Sequence, residues 1–156
     1  TMDRYQPRKI VSSGVIDISA GAGHSLFLRE NNSLWSVGRN DYGQLGSGTK
    51  VNQTTPLMVV PSDVVEIDAG IYHNVFVKSD GSLWGFGSNE NGELGDGTTT
   101  NRASPIKIIN AGVATANAGF KFTKTCPGVE VVLKLFCSGA TYLFSLISNP
   151  AWYIGY

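Results

Sequence analysis

The stretch LWSVGRNDYGQLGSGT, residues 34–49, returns 49 positions later as LWGFGSNENGELGDGT, residues 83–98. The similarity continues on both sides of this stretch. When residues 15–60 are laid over residues 64–109, about 18 of about 46 positions are identical, whereas unrelated segments would share about three. A tandem repeat of this length is typical of an architecture in which each structural unit stacks on the next.

The repeat also sets the expected organisation of the chain. Its register reaches back to residues 7–11, which match residues 56–60, and forward to residues 113–119, which match residues 64–70. After Gly119 the match stops. We therefore predict four segments: 1–14, the end of a preceding repeat; 15–63 and 64–112, two complete repeats; and 113–156, the start of a third repeat followed by a divergent hydrophobic tail.

Composition narrows the classes of function. The chain has 156 residues, 42% of them apolar, and its 12 basic and 12 acidic side chains give no net charge. A neutral chain lacks the positive field that attracts phosphate backbones, so we expect no nucleic-acid partner for this segment. The two cysteines, Cys126 and Cys137, lie in the tail without the spacing of a zinc site.

Each repeat reads as four short strands. Residues 15–19 and 64–68 show mainly alternating apolar and polar residues, as strands with one buried face do. Two further strands follow in each repeat, joined by Asn31-Asn32 or Asp80-Gly81, dipeptides that suit tight hairpins. A glycine-rich stretch then leads to a fourth strand, predicted at 56–60 and 105–109, where a proline at the start suits a sheet edge. Four antiparallel strands per repeat predict an all-β fold in which each repeat is one blade of a partial β-propeller, with two complete blades and partial blades at each end.

The repeated residues resemble a known family. The first repeat has Ala20-Gly21-x-x-His24 followed by the stretch at 34–49, and the second has Ala69-Gly70-x-x-His73 followed by the stretch at 83–98. This pattern resembles the RCC1 (regulator of chromosome condensation) repeat family over roughly residues 7–119. The resemblance implies a β-propeller, usually of seven blades. Ser36, in place of the usual glycine, and the Asn31-Asn32 turn depart from the family pattern.

Repetition assigns the most conspicuous residues to the scaffold. A side chain that recurs at the same place in successive blades holds the architecture, whereas an active site is needed only once. On this argument we predict structural roles for eight residues: His24, Trp35, Gly43, Gly46, His73, Trp84, Gly92 and Gly95. We expect the histidines to bond nearby turn backbone and the tryptophans to pack between blades.

We find no catalytic constellation in the sequence. Residues 43–50 superficially resemble a phosphate-binding loop, but threonine precedes lysine and the stretch does not follow a strand and open a helix. A calcium-loop frame placed on Gly92 puts Gly87 and Thr98 at its first and last ligand positions, which argues against calcium. No nucleophile elbow is present. We therefore expect a non-enzymatic protein with no cofactor and no metal.

Binding specificity should lie where the two repeats differ within their loops, because a propeller carries function on loops of a rigid frame. Exposed tyrosine and arginine side chains are common interface anchors. The candidate binding residues are Arg39, Asp41, Tyr42, Tyr72, Glu90 and Arg102.

The tail and the repeat count suggest an incomplete ring. We predict strands at 129–136 and 141–147, where β-branched and aromatic residues are frequent. The uncharged stretch 135–156 is long enough to span a bilayer, but its Ser, Asn, Gly and Pro residues disfavour that alternative. A seven-bladed ring at this spacing needs roughly 350 residues. Open blade edges would then favour self-association.

Two functions remain open from the sequence. The first is a protein-interaction module that binds a protein partner through the propeller face loops. The alternative, implied by the resemblance, is a guanine-nucleotide exchange factor for a small GTPase. Exchange factors of the family that act on the Ran-type GTPase carry an extra wedge in a blade, and the two repeats here align without an insertion. The sequence does not indicate the cellular compartment.

Overall fold

The computed structural model describes residues 9–118 and two strands beyond them, 131–137 and 140–146. All regular elements among these residues are strands, which confirms the all-β prediction. The first repeat holds β1 (Val15–Ala20), β2 (His24–Arg29), β3 (Leu34–Gly38) and β4 (Gln53–Val60); the second holds β5 (Val64–Ala69), β6 (His73–Lys78), β7 (Leu83–Gly87) and β8 (Arg102–Ile109); the tail holds β9 (Val131–Cys137) and β10 (Ala140–Leu146).

Each repeat forms one four-stranded antiparallel sheet. The strand orders are β1-β2-β3-β4 and β5-β6-β7-β8, so neighbours in sequence are neighbours in space. The predicted hairpins are present: Asn32 and Gly81, the second residues of the two turns, have φ values of 60° and 75°. Asn and Gly tolerate this left-handed conformation better than other residues do, which is why these dipeptides can close the hairpins.

The fourth strand of each sheet is longer than the sequence indicated. β4 begins at Gln53 and β8 at Arg102, so Pro56 and Pro105 lie inside the strands and not at their start. Both strands are at the edge of their sheet, and each pairs with its neighbour through an irregular register. An edge strand tolerates proline because one side of its backbone needs no partner within the sheet.

The two sheets pack face to face around one hydrophobic core. Leu26, Leu28 and Leu34 of the first sheet contact the second sheet, and Phe76 and Phe86 of the second sheet fill the space between them. Burying this apolar surface is the main stabilising contribution to the junction between the repeats.

The outer face of the first sheet is uncovered. Ile67 in β5 is 5% exposed, whereas Ile18, which occupies the same position one repeat earlier, is 75% exposed. Val64 is fully buried, while its counterpart Val15 is 38% exposed. These pairs differ because the second sheet has a preceding repeat against it and, among the described residues, the first has no complete one.

The start of the third repeat continues the stacking. The Val113 nitrogen donates to the Gly81 carbonyl at 3.0 Å, just as the Val64 nitrogen donates to the Asn32 carbonyl at 3.1 Å. Val113 is buried in a second core cluster with Val75, Val77 and Leu83, and Ala116 and Ala118 pack against it: Val113 lies at the position that Val64 holds in the first core.

The tail forms strands, as the composition predicted. β9 and β10 pair with each other as an antiparallel two-stranded sheet, with bounds shifted by one or two residues from the predicted ones. The rest of the tail, including Cys126, lies outside the described residues. In the part of the chain that the structure describes, we find no helix with the length and hydrophobicity needed to cross a bilayer.

Candidate interaction site at the junction of the two repeats

A buried polar bridge joins the two repeats. The His24 Nε2 and the Asn74 Oδ1 lie 2.7 Å apart, and the Asn74 Nδ2 donates to the Gln44 carbonyl at 2.8 Å. Asn74 and Gln44 are fully buried and His24 is 3% exposed. His24 thus bonds a side chain of the next repeat. We had expected it to bond the backbone of its own turn. We name His24, Gln44 and Asn74 the interrepeat bridge.

Burial keeps both repeat histidines neutral. Desolvation lowers the pKa of His24, and the hydrogen bond to Asn74 only partly offsets it. Desolvation also lowers the pKa of His73, against the opposing effects of Glu93, Asp68 and the Ala118 backbone. A neutral imidazole that bonds a neighbouring repeat supports a structural role for both side chains.

The tryptophans have equivalent surroundings in the two sheets. The Nε1 atoms of Trp35 and Trp84 donate to Ser33 and Ser82 at 2.9 and 2.8 Å. Each indole ring also stacks on a phenylalanine of the adjacent strand, with ring centroids 6.1 Å apart. Trp84 packs against the core between the sheets.

The repeated glycines permit close approach of the glycine-rich loop to the next repeat. Gly43, Gly46, Gly92 and Gly95 all have φ between 68° and 82°. A Cβ atom on Gly43 would lie 2.6 Å from the Cα of Ala103, in the last strand of the second sheet. The glycines are therefore needed for backbone conformation, and Gly43 also for contact between repeats.

Sequence reasoning missed the asparagines that shape the loops. The buried Asn40 donates through Nδ2 to the Thr49 and Val51 carbonyls, and its Oδ1 accepts from the Leu45 nitrogen. Asn89 likewise accepts from Leu94 in the second repeat. Both asparagines recur in the motif, and a recurring polar residue beside turn glycines is the signal that could have identified them.

Four of the six candidate binding residues come together. The Tyr42 and Tyr72 ring centroids are 4.9 Å apart with an interplanar angle of 31°. The Arg39 guanidinium lies 5.6 Å from the Tyr72 ring centroid, and the Arg39 Nε donates to Asp41 at 2.5 Å. Ile71, which is 53% exposed, is adjacent in sequence. We call Arg39, Asp41, Tyr42, Ile71 and Tyr72 the junction surface.

The scaffold holds the junction surface in place. The Ala22 nitrogen donates to the Ile71 carbonyl at 3.1 Å, which ties the equivalent turns of the two repeats together. The Arg39 nitrogen donates to the Gly23 carbonyl at 2.8 Å. Gln44, whose carbonyl belongs to the interrepeat bridge, accepts from the Tyr42 nitrogen through Oε1 at 2.9 Å. The bridge and the surface are therefore coupled by one buried residue, Gln44, through its backbone carbonyl and its side chain.

The other two candidates lie in the loop of the second repeat. Glu90 accepts a hydrogen bond from Asn101 at 3.0 Å. Arg102 donates to Asp96 from both Nε and Nη2, at 2.8 and 2.6 Å. Partial burial acts to raise the pKa of Asp96, but hydrogen bonds from Thr98, Arg102 and Asn89 outweigh it and lower the pKa to about 2. Arg102 is thus held by its own loop.

The described residues include no cluster of three or more His, Cys, Asp or Glu side chains that could hold a metal ion. Among the described carboxylates outside the loops, Glu66 has a raised pKa. Burial is the main cause and the nearby charges of Asp68 and Asp17 add to it, whereas a hydrogen bond from the Ala116 nitrogen acts to lower the pKa. Asp17 is the repeat equivalent of Glu66. A carboxylate that recurs at the same strand position is part of the scaffold that stacks the sheets.

Stacked four-stranded antiparallel sheets, one per repeat, define the blades of a β-propeller. The model of the "Regulator of chromosome condensation (RCC1) repeat" matches residues 31–77 and 80–126, and a second model with the same description matches residues 15–44 and 64–93. The first covers more than half of the chain. This chain belongs to the RCC1 repeat family.

Solved structures support the same fold. Human WBSCR16 aligns with a TM-score of 0.56 at 27% identity, over 65% of this chain and 27% of that one. Prp20p from Saccharomyces cerevisiae, described with its binding properties to Gsp1p and histones, aligns with a TM-score of 0.54 at 27% identity, over 67% and 27% of the two chains. Yeast RCC1 (Prp20) bound to Kap60 gives a TM-score of 0.53 at 28% identity, over 67% and 26%.

A curated relative contains a closely similar short segment. The bifunctional serine/threonine-protein kinase/NEDD4-like E3 ubiquitin-protein ligase of Dictyostelium discoideum is 54% identical over 41 residues, which is 26% of this chain and 2% of that protein. This chain thus spans a small part of the curated relative and about a quarter of each solved structure named above.

Proposed function

We propose that this chain is a non-enzymatic protein-interaction module that binds a protein partner through the loops on one face of its blades. The observation that carries the proposal is the junction surface. Residues that differ between the repeats, from two segments at 39–42 and 71–72, meet at one place on the frame of the two sheets. Tyrosine and arginine are enriched at such interface centres.

The surface is specific to this junction. Its counterparts one repeat later include Ser88 and Asn91, at the positions of Arg39 and Tyr42. The stacked pair of tyrosines is therefore not a requirement of the repeat. The units that present it are, in this proposal, the blades at 15–63 and 64–112, with 1–14 and 113–156 belonging to flanking blades.

The test compares three forms of the chain as bait: wild type, Tyr72→Ala and Lys50→Ala. Lys50 is an exposed residue of the same glycine-rich loop and differs between the repeats, so it is the matched control. We expect wild type and the Lys50 variant to retain a partner protein that the Tyr72 variant does not retain. Circular dichroism and urea unfolding of each variant establish that the fold persists. Equal retention by all three folded chains contradicts the proposal.

The alternative function is guanine-nucleotide exchange on a small GTPase. It is favoured by the structural similarity to Prp20p, whose binding properties to Gsp1p were described. The test is release of labelled guanine nucleotide from a panel of small GTPases by the full-length protein. Acceleration that Tyr72→Ala abolishes supports exchange; no acceleration with any of them refutes it.

A further inference from the structure

We propose that the partner segment recognised by the junction surface is acidic: a carboxylate of the partner pairs with Arg39, and an adjacent apolar side chain packs on Tyr42 and Tyr72. This inference rests on the proposed interaction function and specifies the chemistry of its ligand.

Arg39 is a cation of the junction surface with unused hydrogen-bond donors. Among the described residues, only its Nε donates a hydrogen bond, to Asp41, so the two terminal nitrogens of the guanidinium face no internal acceptor. The side chain is 46% exposed. Arg102 is the contrast, because its Nε and Nη2 both donate to Asp96 and its Nη2 also donates to Thr98. A planar guanidinium with free terminal nitrogens suits a carboxylate.

The position of Arg39 is fixed before a ligand arrives. Its guanidinium lies over the Tyr72 ring at 5.6 Å, and its backbone nitrogen is held by the Gly23 carbonyl. A side chain ordered in this way loses less conformational entropy on binding than a free arginine does. Among the described residues, nothing anchors the Lys50 side chain in a comparable way, so Lys50 serves as a control cation.

Asp41 competes with the partner but does not block it. The Arg39–Asp41 pair is solvent-exposed, with 46% and 45% of the two side chains accessible. Exposed ion pairs are weak, so an incoming carboxylate can share or displace Asp41 at little cost. Removing this internal carboxylate should therefore strengthen the binding of an acidic ligand and weaken the binding of a basic one.

The apolar part of the surface adjoins the arginine. The guanidinium lies over Tyr72, whose ring centroid is 4.9 Å from that of Tyr42, and the half-exposed Ile71 is next to Tyr72 in sequence. In the nearby loop of the second repeat, Glu90 accepts from Asn101 and Glu93 accepts from the Asn91 nitrogen, so both carboxylates are engaged within that loop. The junction surface thus combines the free terminal nitrogens of Arg39 with an adjoining aromatic pair.

The experiment uses three labelled synthetic peptides that share one central phenylalanine. In the first peptide the phenylalanine is flanked by glutamates, in the second by glutamines and in the third by lysines. Binding to the full chain is measured by fluorescence anisotropy at two salt concentrations. We expect the glutamate peptide to bind at least about tenfold more tightly than the glutamine peptide, with an affinity that falls as salt rises.

Variants then assign the binding to the proposed groups. Arg39→Gln should weaken the affinity for the glutamate peptide at least about tenfold, whereas Lys50→Gln should change that affinity less than about twofold. Asp41→Asn should increase the affinity for the same peptide up to roughly fivefold, the range expected when a weak exposed ion pair is removed. Arg39 and Asp41 are surface side chains, so these variants keep the fold, and unfolding in urea verifies this.

Several results would overturn the inference. These are preference for the lysine peptide, equal binding of all three peptides, no binding of any peptide, or an Arg39→Gln chain that binds as wild type does. If peptides fail while the bait experiment still yields a partner that depends on Tyr72, the acidic chemistry is refuted and the interaction function stands. If no peptide binds and the bait experiment yields no partner that depends on Tyr72, both proposals fall.

Discussion

Replacing Asn74 with alanine should destabilise the chain by about 2–6 kcal/mol. The substitution removes the amide that bonds His24 of the preceding repeat and the Gln44 carbonyl. Both groups are almost completely buried, so water cannot replace the lost bonds without a rearrangement. Each buried polar group left without a partner costs about 1–3 kcal/mol, and two such groups give the expected range.

The assay is urea unfolding followed by far-ultraviolet circular dichroism, with free energies obtained by linear extrapolation. Asn110→Ala is the matched control, because it makes the same change at an exposed position; it should stay within about 0.5 kcal/mol of wild type. A double-mutant cycle with His24→Ala should give a coupling energy of at least about 0.5 kcal/mol between His24 and Asn74. If Asn74→Ala costs no more than the control, the bridge does not stabilise the junction and the reasoning is refuted.

Three further predictions use the same unfolding assay. Gly43→Ala should cost at least about 1 kcal/mol more than Gly97→Ala: both glycines have positive φ, but a Cβ meets backbone only at Gly43 and finds nothing within 4 Å at Gly97. Ile67→Ala should cost about 2–5 kcal/mol and Ile18→Ala less than about 0.5 kcal/mol, because only Ile67 is buried. Stability should fall as the pH falls below about 6.5, since the pKa of His24 is lowered in the folded chain and the unfolded chain therefore binds more protons; His24→Gln should flatten this pH dependence, and an unchanged slope would contradict it.

The repeat predicted most of the fold, because each strand appears at the same position in two copies of the repeat. The first strand of each sheet was predicted to within one residue, and the hairpin turns at Asn32 and Gly81 have the expected backbone conformation. The fourth strands were predicted too short. Pro56 and Pro105 argue for a strand start, and only the sheet order shows that an edge position accommodates them inside the strand.

The candidate site was predictable as a set of residues but not as a surface. Tyr42 and Tyr72 were selected because they differ from their repeat counterparts, yet their contact depends on how one sheet stacks on the next. The period contains no information on that stacking angle. Arg102 was selected by the same criterion. It pairs with Asp96, a partly buried carboxylate six residues away in its own loop.

Asn74 shows why difference between repeats is not sufficient evidence of binding. It replaces Ser25 of the first repeat, as Tyr42 is replaced by Asn91 in the second, but it is fully buried and bonds the preceding repeat. Serine at that position is too short to make both bonds. Because Gln44 contacts both Asn74 and the backbone of Tyr42, the bridge that distinguishes this junction also orders its surface. A change at Asn74 should therefore weaken partner binding as well as the fold, whereas a change at Arg39 should weaken binding alone.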